Sequence, residues 1–215
     1  MIRYLFFDFD GTISDAYSLA FKSLVKTLDE FEFEFNKQDA LKQLGNKMHI
    51  ILKNLGLNAG HLETIRRRFY KHFIRGAKEG DIKLCVSINP LKKLKKEGYK
   101  LIVVSNSETS FLRASIKRLK IKGLFNRVFG AEKFSTKDEF LKKLFKKYKI
   151  KPEEAVYIGD RFSDIEFARD AGCIAIAIHN KCSWSNKTTI MKEKPDFIIK
   201  DFRGLGKVLK KLNKE

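Results

Sequence analysis

The sequence predicts an α/β fold, a doubly wound parallel sheet with a small helical layer inserted after its first strand. Three observations carry that prediction. Short, almost purely apolar runs recur at residues 2–7, 101–104, 155–158 and 174–178, without the polar alternation of a half-exposed strand. Such runs are strands buried on both faces of a parallel sheet. Segments of helical period separate the later runs and supply the right-handed crossovers that parallel strands need. Between the first run and the second, by contrast, residues 14–83 keep a helical period almost throughout.

The first run ends in Asp8-Phe9-Asp10-Gly11-Thr12. Side chains two apart on a strand point the same way, so Asp8 and Asp10 are expected to face one small volume beyond the strand's carboxyl end, where open α/β sheets bind ligands. Two carboxylates so close repel, and one stays protonated unless a cation lies between them. A hard divalent ion such as Mg²⁺ resolves the repulsion and brings a phosphate with it. The pattern predicts a metal-assisted phosphoryl site.

After Asp15 the period becomes helical. Tyr17, Phe21, Leu24, Leu28 and Phe31 follow i, i+3/i+4 spacing. The alternation of Phe31, Phe33 and Phe35 admits one short strand. A helix over 37–44 breaks at Gly45-Asn46, and Met48, Ile51, Leu52 and Leu55 mark the next, closed by Gly56 and by Asn58-Ala59-Gly60. Leu62, Ile65, Phe69, His72 and Phe73 make a fourth. Strand–helix alternation resumes at Leu84: a helix over 90–97 capped by Gly98, a strand over 99–104, a helix over 111–119 and a short strand over 127–129. A helix over 137–148 and a strand over 155–158 follow, then a helix over 164–171 stopped by Gly172. A strand over 174–178, an edge strand over 197–199 and a terminal helix from Leu205 complete the chain.

Three features fall where that architecture would gather them around Asp8. Ser105-Asn106 follows the strand at 99–104, and a hydroxyl with backbone N–H groups at a strand-to-helix turn binds phosphoryl oxygens. Lys137 opens a helix, where the helix dipole disfavours a positive charge, which sets it apart from the lysines at 142, 143, 146 and 147. Gly159-Asp160 closes another buried strand, with Asp164 four residues on at a helix start. Glycine there allows close backbone approach, and Asp160 can reach an ion held by Asp8. Helix capping by Asp160 or Asp164 is compatible with that role.

With these motifs the sequence resembles the haloacid dehalogenase-like (HAD) hydrolase superfamily, whose four motifs stand in order as Asp8-Phe9-Asp10-Gly11-Thr12, Ser105, Lys137 and Gly159-Asp160 followed by Asp164. The likeness runs over nearly the whole chain, through Ala171-Gly172 and Pro195-Asp196-Phe197-Ile198-Ile199. The insert resembles the helical C1-type cap of the phosphoglycolate-phosphatase-like and β-phosphoglucomutase-like branch. A core over 1–13 and 84–215 with a cap over 14–83 is what this implies. Two departures stand out: Cys85-Val86-Ser87-Ile88-Asn89-Pro90 replaces the usual Pro-Gly turn, and Lys137 is followed by Asp138 rather than Pro.

The resemblance implies a Mg²⁺-dependent phosphatase. Asp8 would attack phosphorus to form an aspartyl-phosphate, and Asp10 would protonate the leaving group and then activate water. Mg²⁺ would be held by Asp8, the Asp10 backbone carbonyl and Asp160, with Asp164 placing a metal-bound water or a neighbouring ligand. Ser105, Asn106 and Lys137 would bind the phosphoryl oxygens. An aspartate two beyond the nucleophile points to a phosphatase or phosphomutase rather than a dehalogenase. In the insert, Lys47 after Gly45-Asn46 is the candidate for substrate selection.

Composition bounds the partners. The 215 residues carry a net charge of +19, which attracts anions, from phosphorylated metabolites to nucleic acid. The lysines mostly occupy the outer faces of amphipathic helices, as at 142, 143, 146 and 147 opposite Leu141, Leu144 and Phe145. A small phosphorylated metabolite is therefore the expected substrate. A nucleotide or polynucleotide phosphatase is the alternative with the same chemistry, and a nucleic-acid-binding protein on an idle core the alternative without it. The 3 cysteines are widely spaced, which fits a reducing compartment. With no apolar run of bilayer length and no leader pattern, a cytoplasmic protein without a membrane partner is expected.

Overall fold

In the computed structural model, which describes residues 1–57 and 59–214, six parallel strands form one sheet. They are β1 (Tyr4–Phe7), β4 (Lys100–Val104), β5 (Arg127–Phe129), β6 (Ala155–Gly159), β7 (Ile174–Ile178) and β8 (Phe197–Ile199). Their order is β5-β4-β1-β6-β7-β8. β1 pairs with β4 on one side, Phe7 opposite Val103, and with β6 on the other, Phe7 opposite Ile158. The winding reverses at β1, so its carboxyl end is the topological switch point where such sheets take ligands. Leu5, Phe6 and Phe7 are fully buried. That burial is the reason the run is apolar on both faces, each side chain contributing roughly 1.5–3 kcal/mol.

Helices α5 (Asn89–Lys96), α6 (Thr109–Arg118), α7 (Lys137–Tyr148), α8 (Phe162–Ala171) and α10 (Phe202–Leu212) cover the sheet, with a short α9 (Lys187–Lys192) before β8. On one face Phe6 meets Phe145 of α7 edge-on at 5.6 Å, and on the other Phe7 meets Phe202 of α10 at 5.9 Å. The parallel, doubly wound arrangement is the predicted one.

Between β1 and β4 lie α1 (Tyr17–Glu30), α2 (Lys37–Gln43), α3 (Met48–Asn54) and α4 (Ala59–Glu79). Asn36 starts α2 by accepting hydrogen bonds from the backbone N–H of Gln38 and Asp39. The chain leaves and rejoins the sheet through a ribbon absent from the sequence reading: β2 (Ser14–Asp15) pairs antiparallel with β3 (Lys83–Leu84). The short strand admitted at 31–35 is not formed. Phe31 caps α1, and Phe31, Phe33 and Phe35 pack half-buried against the core, with no neighbouring strand among the described residues to complete a ladder. The turn expected at Asn58 lies outside the described residues. One apolar cluster runs continuously from Leu5 and Phe7 through Leu24 and Leu28 to Ile51 and Phe73. Its closest pair of aromatic rings among the described residues joins α4 to α6, where Phe73 and Phe111 stack with ring centres 3.6 Å apart. Among the described residues no helix is long and apolar enough to cross a membrane.

Candidate active site

The carboxyl ends of β1 and β6 bring three carboxylates together. Asp8, Asp160 and Asp164 each offer an oxygen within 4.8 Å of the others, and all three are buried. β1 delivers Asp8, whose backbone N–H donates to the Ile158 carbonyl at 2.9 Å. β6 delivers Asp160, which accepts from the Thr12 hydroxyl at 2.9 Å and from the Trp184 backbone N–H at 2.7 Å. Asp164 comes from the first turn of α8 and packs directly on Gly159. A Cβ at Gly159 would come within 2.4 Å of the Asp164 side chain, so only glycine lets β6 pass this close.

Lys137, the first residue of α7, enters this cluster from the side. Its ammonium donates to Asp8 at 2.8 Å and to Asp164 at 2.7 Å, and it lies 5.4 Å from the centre of the Tyr157 ring. Burial disfavours its charge, but Asp164 and Asp8 outweigh burial and raise its pKa. Burial lifts Asp8 to about 7 against the pull of Lys137, and burial together with Asp8 and Asp164 holds Asp160 well above the ordinary carboxylate range. One ammonium among three buried carboxylates leaves negative charge uncompensated. An all-oxygen donor set of that charge suits a hard divalent cation.

Asp10 faces the same cavity yet stands apart from the cluster. One of its oxygens accepts from the Ser14 hydroxyl at 3.0 Å and the other from the Ser107 hydroxyl at 2.6 Å. Burial raises its pKa to about 6 although both serines pull it down. Two aspartates two residues apart thus have different surroundings, one beside an ammonium and two carboxylates, the other between two hydroxyls.

Ser105 is buried at the end of β4, its hydroxyl accepting from the Ser107 backbone N–H at 3.1 Å. Asn106 also reaches the cavity, but its amide donates to the Gly45 carbonyl at 3.0 Å, tying the loop after α2 to the sheet. Lys47 corrects the reading made from its position. Its ammonium turns away from the cavity to the carbonyls of Ala131, at 2.9 Å, and Phe134, and sits 4.3 Å from the centre of the Phe134 ring. Two carbonyls and a ring face already satisfy this buried cation, so it joins the helical layer to the loop after β5 instead of meeting a ligand.

The cavity is small, about 40 Å³ open to the centres of water molecules, or room for only a few waters. The sheet side supplies Asp8, Asp10, Ser105 and Lys137, and the helical side Leu44, Met48, Ile51, Phe69, Tyr70 and Phe73. Among the lining residues not anticipated are Ser107, Tyr70, Trp184 and Arg161. The only sequence signal for Arg161 is its place between Asp160 and Asp164, and 45 lysines and arginines hide one cation well.

Comparison with known proteins agrees with this fold. The profile of the haloacid dehalogenase-like hydrolases matches residues 5–178. The pyrophosphatase PpaX of Bacillus mycoides is 25% identical over 220 residues, 99% of this chain and 99% of the relative. A predicted phosphoglycolate phosphatase of Haemophilus somnus superposes with a TM-score of 0.84 at 21% identity, over 97% of this chain and 98% of the other. CbbY of Rhodobacter sphaeroides, solved in complex with phosphate, gives 0.81 at 18% identity over 96% and 97%. Since the matched stretch opens on β1, ends with β7 and spans every carboxylate described above, the chain belongs to the haloacid dehalogenase-like hydrolases.

Proposed function

We infer that this phosphatase hydrolyses a small phosphate monoester through an aspartyl-phosphate on Asp8, with Mg²⁺ as its cation and residues 14–83 as a cap over the site. The observation that carries the reading is the unequal environment of Asp8 and Asp10, since paired titratable groups with divergent surroundings mark divided roles. The Asp8 carboxylate attacks phosphorus, forming a P–O bond as the bond to the leaving oxygen breaks. Asp10, held by Ser14 and Ser107, gives that oxygen its proton. In the second step Asp10 takes a proton from water, the water oxygen bonds to phosphorus, and the bond to Asp8 breaks, releasing phosphate.

Lys137 draws Asp8 toward its ionised form and orients it before attack and, with the Ser105 hydroxyl and the Asn106 backbone N–H, binds phosphoryl oxygens. Asp8 and Asp160, joined by Asp164 and the Asp10 backbone carbonyl, would hold Mg²⁺, which when bound offsets the negative charge of the carboxylates and of the phosphoryl group. The apolar wall from the helical layer keeps bulk water from the aspartyl-phosphate.

Release of phosphate from p-nitrophenyl phosphate tests the reading. Activity should vanish in excess chelator, return with Mg²⁺, and fall at least ~10³-fold in Asp8→Asn, the scale expected when a nucleophile is lost. Full turnover by Asp8→Asn would refute the nucleophile, and full turnover in chelator would refute the cation.

A further inference from the structure

Arg161 is the one charged side chain of the cavity that the chemistry above leaves idle. It follows Asp160, is only 9% exposed, and lines the same cavity as Asp8, Ser105 and Lys137. Among the described residues its guanidinium has no carboxylate and no hydrogen-bond acceptor; the hydrogen bonds of Arg161 run through its backbone, whose N–H donates to the Asp164 carboxylate at 3.1 Å and whose carbonyl accepts from the Asp164 N–H at 3.0 Å. The Phe162 ring lies 5.8 Å away, at the outer edge of cation–π range, and supplies no full negative charge. A nearly buried guanidinium without an anionic partner is left to the water of the cavity until an anion arrives.

The opposite wall is shaped to the guanidinium. Gly45, in the loop after α2, has a φ of +92°, and a Cβ there would come within 2.5 Å of one terminal nitrogen, 2.7 Å of Cζ and 2.9 Å of Nε. The guanidinium therefore lies against a bare backbone that offers it no charge. Asn106 holds that loop in place through the Gly45 carbonyl at 3.0 Å. A planar five-donor fork so confined is suited to a bidentate partner such as a carboxylate or a phosphate.

Building on the phosphatase reading, we propose that Arg161 binds a second anionic group of the substrate, one not transferred to Asp8, and so selects small phosphorylated acids or inorganic pyrophosphate over phosphate esters of neutral alcohols. The small cavity points the same way, because it leaves the second group little room to lie anywhere but beside the first. Arg161 is here a specificity-determining residue and takes no part in proton transfer.

The test compares kcat/KM for inorganic pyrophosphate and 2-phosphoglycolate with that for 2-hydroxyethyl phosphate, in wild type, Arg161→Gln and Arg161→Lys. Wild type should favour at least one of the two acidic substrates. In Arg161→Gln the acidic-to-neutral ratio should fall by about 10- to 100-fold, the range of one charge-assisted contact, with the loss mainly in KM. Arg161→Lys should recover part of the ratio, since it restores charge without the fork. An equal loss on all three substrates, with the ratio unchanged in both variants, would make Arg161 a structural residue and overturn the proposal. So would a wild type that prefers the neutral ester. Failure of wild type to release phosphate from any substrate would instead refute the phosphatase reading on which the proposal rests. If Arg161→Gln does not fold, the ratio in Arg161→Lys decides alone.

Discussion

Asp10 shows how much of this site depends on single hydrogen bonds. Its two oxygens are each held by a serine hydroxyl, so its side chain is fixed whichever protonation state it adopts. Asp10→Asn keeps the backbone and the shape but removes the proton that the two steps exchange. p-Nitrophenolate leaves without needing a proton, so this variant should release a burst near one equivalent of p-nitrophenol and then stall with phosphate on Asp8. Alkyl phosphates should give neither burst nor turnover. Rapid-quench kinetics with mass spectrometry of the acid-quenched protein reads both, and steady turnover of an alkyl phosphate would contradict the role. At this scale the sequence was informative wherever a residue's backbone position decides its neighbours. Asp8, Ser105, Lys137, Asp160 and Asp164 sit at strand ends or helix starts and converge as their spacing implied. Lys47 was misplaced and Arg161 passed over, because the destination of a long flexible side chain depends on distant chain. Lys47 found the carbonyls of Ala131 and Phe134, more than eighty residues away, and Arg161 found Gly45.

At the scale of elements, the joint between α4 and α6 decides whether the helical layer and the sheet act as one body. Phe73 and Phe111 stack nearly parallel, with planes 6° apart, and both are buried. Phe73→Ala should cost about 3–5 kcal/mol in urea unfolding, through lost burial and the void left behind. Phe111→Ala should cost a similar amount. The double variant should cost less than the sum by about 0.5–1.5 kcal/mol, the part that belongs to the aromatic pair. Strict additivity would mean that each ring packs independently of the other. The same scale explains which elements could be read in advance. β1, β4, β6 and β7 are buried on both faces and announce themselves as apolar runs. β2 and β3 are two residues each and exist only because Ser14 meets Leu84, a pairing that no local pattern encodes. The Phe31, Phe33, Phe35 alternation misled for the converse reason: a strand period without a partner strand yields packing, not a ladder.

For the whole molecule, the two collective quantities are its charge and its capacity for a cation. A net charge of +19 surrounds a cavity whose proposed ligand is an anion. Between about 10 mM and about 1 M salt the screening length shrinks from about 30 Å to about 3 Å. kcat/KM on phosphate substrates should therefore decline severalfold across that range while kcat holds nearly steady, because the field assists encounter and not the chemical steps. A flat kcat/KM would leave the charge without a part in substrate capture. The three buried carboxylates supply the second test. Mg²⁺ at about a hundred times its Kd should stabilise the fold by about 2.7 kcal/mol, a rise in Tm of roughly 5–10 °C. Asp160→Asn should lose most of that rise, and an unchanged rise would mean that the ion sits elsewhere.

The two-residue ribbon at Ser14 and Leu84 has a consequence for ancestry. Because the outgoing and returning strands lie side by side, the stretch between them is spliced into the sheet at a single seam. Such a seam lets a lineage trade one insert for another, longer or shorter, without shifting the register of any of the six parallel strands. A transplanted insert must bring an apolar face that matches Phe111 and a bare backbone where Gly45 meets Arg161.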